Sequence, residues 1–138
     1  MISKKSLIIA VDFDGTIVED EYPNIGKPML FAFETMKKLQ DEGHRLILWT
    51  YRKGDMLKKA VKFCSENGIE FYAVNESYDN ELVNGISRKI HADLFIDDRN
   101  IGGFIGWGEA YQAINKRELN IDSQLKKQKK GFLSIFRR

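Results

Sequence analysis

Four aspartates stand where apolar runs stop. Leu7-Ile-Ile-Ala-Val11 is closed by Asp12, with Asp14, Gly15 and Thr16 following, and Asp93-Leu-Phe-Ile96 is closed by Asp97 and Asp98, with Arg99 next. A third run, Arg45-Leu-Ile-Leu-Trp49, ends in Thr50 and, two residues on, Arg52. Carboxylates brought together repel, and one of them is held protonated unless a cation joins them. A hard divalent cation removes the conflict, and Mg²⁺ takes a few carboxylates together with waters and a phosphate oxygen. Residues two apart on a strand share a face, so Asp12 and Asp14 are expected to point one way and Phe13 the other. Gly15 permits a turn whose N–H groups can face an anion.

The elements that must position these residues can be read from the same sequence. The apolar runs are short and continuous, as in strands buried on both faces. A helical pattern begins at Pro28, carries Met29, Phe33, Met36 and Leu39, and stops at Gly43. A second has Asp55 in its first turn, apolar Leu57, Ala60, Val61 and Cys64, and Gly68 at its end. Glu70-Phe-Tyr-Ala-Val74 reads as another strand, 76–88 as irregular, and 109–118 as a last helix. Strands alternating with amphipathic helices predict an α/β fold, a Rossmann-like three-layer sandwich with a mainly parallel sheet and helices on both faces. Ligands of such sheets bind beyond the carboxyl ends of the strands, where the aspartates stand.

Length and charge limit what surrounds this fold. The chain has 138 residues, 43% apolar and 30% charged, which suits one globular domain rather than a disordered tail. A single cysteine, Cys64, excludes an internal disulfide framework and reads as core. No apolar run nears the ~20 residues of a membrane span, and Met1 to Lys5 does not open a signal peptide, so a cytoplasmic location is expected. Residues 123–138 carry six basic and no acidic side chains, which leaves 1–122 acidic at a net −4. We therefore divide the chain into a body, 1–122, and a basic, flexible tail, 123–138. The tail's Lys126–Lys130 cluster and apolar 132–136 suit weak contact with an anionic membrane surface; nucleic acid is not expected as a partner. His44, His91, Trp49 and Trp107 read as structural.

Asp12-Phe-Asp-Gly-Thr16, the apolar strand ending in Thr50, a basic residue before the last strand and Ile96-Asp-Asp98 resemble the four motifs of the haloacid dehalogenase (HAD) superfamily. The resemblance spans residues 7–99, and no interval is long enough for an inserted cap domain. It implies a Mg²⁺-dependent phosphomonoester hydrolase acting on a phosphorylated small molecule through an aspartyl-phosphate. Asp12 would attack phosphorus and share the metal with Asp97 and Asp98, while Asp14 would act as general acid and base, with its backbone carbonyl on the metal. Thr50 would hold the transferred phosphoryl group, and Lys89, in preference to Arg88, would be the basic residue of the third motif. Gly15, Thr16, Arg52 and Arg99 are further candidate phosphate or substrate contacts. Phosphatases and phosphomutases of the superfamily carry Asp two residues after the nucleophile and dehalogenases do not, so Asp14 favours phosphoryl transfer. Transfer to another hydroxyl, as in a mutase or phosphotransferase, shares every motif. A receiver-type signalling module would need its phosphorylated aspartate after the third strand, where this chain has Asn75. An uncapped site also leaves room for a second subunit.

Overall fold

The computed structural model describes residues 6–79, 81 and 87–116. In chain order its elements are β1 (Ile8–Val11), α1 (Ala32–Asp41), β2 (Arg45–Leu48), α2 (Gly54–Glu66), β3 (Ala73–Val74), β4 (Leu94–Ile96) and a helix α3 over 107–116. The strands form one sheet in the order β3-β2-β1-β4, with every neighbouring pair parallel. The fold is α/β and Rossmann-like. The basic tail and the end of the last expected helix, 117–118, lie outside the described residues.

Alternation along the strands divides the core into two. Ile9, Val11, Leu46, Leu48 and Ile96 face a large cluster completed by Ala32, Met36 and Leu39 of α1, Ala60 and Cys64 of α2, and Trp107 and Ile114 of α3. Ala10, Ile47 and Ala73 face the other way and meet Ile90, with Trp49 and Ala92 packed beside them. The described helices therefore all cover one face, where helices on both were expected. Right-handed crossovers explain this. The β1-to-β2 and β2-to-β3 steps run the same way across the sheet, so α1 and α2 fall on the same side. The step from β3 back to β4 runs the opposite way and must pass over the second face, which is where Ile90 and Ala92 pack.

Gly43 and Gly68, at φ 95° and 87°, follow the ends of α1 and α2 as the sequence predicts. The start of α1 is later than expected. Pro28 pairs with Val18 in an isolated bridge, Phe31 adopts φ 65°, and the helix opens at Ala32. Residues 16–29 instead close a flap on themselves, with Glu19 N–H donating to the Lys27 carbonyl at 2.7 Å and Met29 N–H to Ile17 at 2.8 Å. Among the described residues no helix is long and apolar enough to cross a membrane. Cys64 is buried in the core, and burial pushes its thiol up to about 12.

Candidate functional site

Val11 is in register with both Leu48 and Ile96, so Asp12, Trp49 and Asp97 leave the sheet side by side. Asp12, Asp97 and Asp98 each turn one carboxylate oxygen to a common point, all three within 4.8 Å of one another. Thr16 ties two of their segments together. Its hydroxyl donates to Asp12 Oδ2 at 3.1 Å and accepts the Asp98 N–H at 3.1 Å. Below it, the Trp107 indole N–H donates to the Thr16 carbonyl at 2.8 Å, so α3 holds the loop in place.

Among the described residues, these three carboxylates have no paired cation. Burial first, then the Asp97 charge and a hydrogen bond with Asp98, push the Asp12 carboxyl up to about 8, against the opposing bonds from Thr16 and the Phe13 backbone. Asp98 Oδ1 is buried without a hydrogen-bond partner, an expensive state for a carboxylate oxygen. Gly15, at φ 86°, leaves the space that Asp98 occupies: a Cβ there would lie 2.2 Å from Asp98 Oδ2. No described lysine or arginine pairs with any of the three. An all-oxygen donor set with an orphaned atom fits a hard divalent cation.

Asp14 is treated differently. Alternation would set it beside Asp12, but β1 stops at Val11, and the N–H groups of Thr16, Ile17 and Val18 all converge on the Phe13 carbonyl. The tight turn aims Asp14 at Arg52. Arg52 Nε and Nη2 each donate to one Asp14 oxygen at 2.7 Å, Nη2 also to the Asn24 carbonyl at 2.8 Å, and Nη1 to the Pro23 carbonyl at 3.2 Å. The guanidinium lies 5.1 Å from the ring centres of both Phe13 and Tyr22. Its side chain is fully enclosed, and the Asp14 hydrogen bonds raise its pKa further above the ordinary arginine value. Arg52 is therefore not the free phosphate contact expected from sequence; four of its five N–H donors are committed within the protein.

The other expected contacts divide likewise. Thr16 is wholly buried, and the Gly15 N–H is taken by the Val18 carbonyl at 2.7 Å, so neither reaches outward as expected. Thr50 lines a cavity of about 740 Å³ together with Asp12, Asp14, Asp97, Asp98 and Arg99. The Arg99 guanidinium forms no ion pair with a described residue. Ile90 packs against Ala10, Ile47 and Ala73, each one residue short of its strand end, so the chain at Lys89 emerges near the same edge of the sheet. Lys89 and Arg88 are both exposed, and neither lines the cavity.

Several residues of this region were not singled out in the sequence. Asn75, at φ 55°, accepts the Thr50 N–H on Oδ1 at 2.8 Å and fixes the backbone there. Its place just after β3, level with Asp12 and Trp49 after their strands, was the available signal. Asp20, Tyr22 and Tyr51 line the cavity. Nothing in their local sequence marks them.

The chain is similar to a solved structure, that of a conserved protein of Bacteroides thetaiotaomicron. The two are 54% identical, with a TM-score of 0.78, over 82% of this chain and 93% of that one. The chain belongs to the family of that protein. No protein-family model and no curated protein matches it.

Proposed function

We propose that the chain is a Mg²⁺-dependent phosphomonoester hydrolase of the HAD type. The observation that carries the reading is the division of four neighbouring carboxylates into a cation-poor trio and a separately paired Asp14. Asp12, Asp97 and Asp98 would hold the metal, which when bound offsets the charge of the carboxylates and of the phosphoryl group. Asp12 attacks phosphorus, and its P–O bond forms as the bond to the leaving oxygen breaks, giving an aspartyl-phosphate. The step uses Asp14 in its acid form, with a proton taken up from solvent: that proton goes to the leaving oxygen, and the water that attacks the aspartyl-phosphate returns one to Asp14 as Asp12 is restored. Arg52 fixes the Asp14 carboxylate for this work, and each Asp14 oxygen keeps a further lone pair beyond its bond to Arg52. Thr50 and Arg99 hold the transferred group from the cavity wall. Such a reaction depends chiefly on positioning and charge compensation, which these residues can supply.

The test is hydrolysis of an aryl phosphate with and without Mg²⁺, beside the Asp12→Asn variant and with isothermal calorimetry of Mg²⁺ binding. Metal-dependent turnover that falls at least about a thousandfold in the variant is expected for loss of a nucleophile. A chain that cleaves none of a broad set of phosphomonoesters, whether or not it binds Mg²⁺, would overturn the proposal.

A further inference from the structure

The cavity above the carboxylates has an aromatic side that the proposed chemistry does not use. Tyr22 enters it from the flap, Trp49 from the end of β2 and Tyr51 from the link to α2. Tyr51 is 95% exposed, so it contributes almost nothing to the core. Its backbone is nonetheless held on both sides. The Thr50 N–H is bonded to Asn75 at 2.8 Å, and the Arg52 N–H to Thr50 Oγ1 at 3.2 Å. Arg52 itself is locked into Asp14 and two flap carbonyls. Tyr22 is anchored through the same arginine, whose guanidinium sits 5.1 Å from its ring centre, yet 52% of Tyr22 stays exposed. Two large rings are thus presented to one cavity from supports fixed at the backbone, and Tyr51 does so without contributing to the core. A tyrosine ring on a fixed backbone has only two side-chain torsions to freeze, which suits it to stacking.

Charge narrows what could stack there. Besides the four site carboxylates, Asp20 lines the cavity beside Tyr22, and Arg99 is the one cation among the described lining residues. One phosphate can be compensated by a bound cation and Arg99. A second acidic group would meet uncompensated carboxylates. We infer that the site takes phosphomonoesters whose leaving group carries an uncharged planar ring, such as an aryl or nucleoside group, seated against Tyr51 and Tyr22. This inference rests on the phosphomonoesterase reading for the position of the phosphate.

Binding of two uncleavable probes in the presence of Mg²⁺ separates the inference from that reading. By calorimetry, phenylphosphonate is expected to bind about tenfold or more tightly than methylphosphonate, near the lower end of what ring stacking supplies. Tyr51→Ala should remove most of that preference and leave methylphosphonate affinity unchanged, while Tyr51→Phe and Tyr22→Phe retain it. Since Tyr51 buries almost nothing, its truncation should not disturb the fold, and an unchanged melting temperature checks this. Equal affinities for the two probes would overturn the inference. So would a ring preference that survives Tyr51→Ala and Tyr22→Ala but vanishes in Ile105→Asp, because the ring would then lie in the apolar cavity of about 300 Å³ beside β4. Ring-dependent binding with no turnover of any phosphomonoester would sink the hydrolase reading and leave the aromatic platform standing.

Discussion

Asp14 and the trio of Asp12, Asp97 and Asp98, which line one cavity, have been given opposite electrostatic solutions. Asp14 carries its own counter-ion, a fully enclosed arginine that grips both of its oxygens at 2.7 Å. Asp12, Asp97 and Asp98 have none among the described residues, and the strain shows as a carboxyl held up near pKa 8 and a buried oxygen with no partner. A protein that needed only to bury these groups could have paired both sets. On the proposed function, the difference is that between a carboxylate held in a fixed orientation and a trio that a cation would compensate.

Breaking the paired side should have the largest effect. Arg52→Met removes both bonds to Asp14 and leaves the carboxylate and two flap carbonyls without donors. Loss of one partner of a buried pair costs about 3–5 kcal/mol. In a domain of this size that lowers the melting temperature by about 10 °C or more. Arg52→Lys should recover only part of this, since an ammonium cannot grip two oxygens and two carbonyls in one plane. A melting temperature within 2 °C of native for Arg52→Met would remove the pairing from the account.

The unpaired side should respond to pH and metal in the opposite sense. The Asp12 carboxyl ionises near 3.8 in the unfolded chain and about 8 in the folded one, so between these values the folded state holds the extra proton. Its contribution to stability is complete below pH ~4 and declines as pH rises toward 8. Without metal, Asp12→Asn should therefore raise the melting temperature at pH 8, by up to a few kcal/mol in stability, and leave it nearly unchanged at pH 4. With Mg²⁺ the order should reverse, because the native chain gains binding energy that the variant has lost. Thermal melts at both pH values, with and without Mg²⁺, check this. A native chain whose melting temperature does not depend on Mg²⁺ would contradict it.

Gly15 tests how tightly the trio is built. Gly15→Ala forces a Cβ into the Asp98 carboxylate and a positive φ on an alanine. The strain costs about 1–3 kcal/mol. Because Asp98 must move, Mg²⁺ affinity should fall by more than the stability loss alone predicts. Titration calorimetry at a temperature where the variant is folded separates the two effects.

How much of this contrast was legible depended on the range of the interaction concerned. Asp12, Asp97 and Asp98 each follow an apolar run, and strands in register bring their ends together, so local pattern was enough to gather the trio. The stop signals at Gly43 and Gly68 were equally local. The Asp14–Arg52 pair joins residues 38 apart and depends on a turn at Phe13 that the period-2 rule does not describe. Arg52 accordingly read as an open phosphate contact. Pro28 misled for a similar reason: its fixed φ suits a helix start, but the flap's pairing of Val18 with Pro28 takes precedence. Tyr51 offered no pattern at all, since its place is set by its neighbours.

The smallest effect concerns a residue that serves both sides. Asn75 lies after β3 at φ 55°, and its side chain accepts the Thr50 N–H and donates to the Arg52 carbonyl at 3.5 Å. It therefore sets the start of the segment that carries Thr50 to the cavity wall and Arg52 to Asp14. Asn75→Gly keeps the backbone conformation available and deletes only those bonds. The expected cost is about 1 kcal/mol in stability, the usual worth of one such bond. If the proposed hydrolase function holds, activity should fall about tenfold, mainly in kcat, since Thr50 would be displaced relative to the phosphoryl group rather than removed. Asn75→Ala, which adds strain at positive φ, should be less stable than Asn75→Gly and no less active at temperatures where both are folded. If Asn75→Gly kept full activity, the Thr50 backbone would be fixed by the sheet alone, and the contrast between the two sets of carboxylates would not extend to the residues behind them.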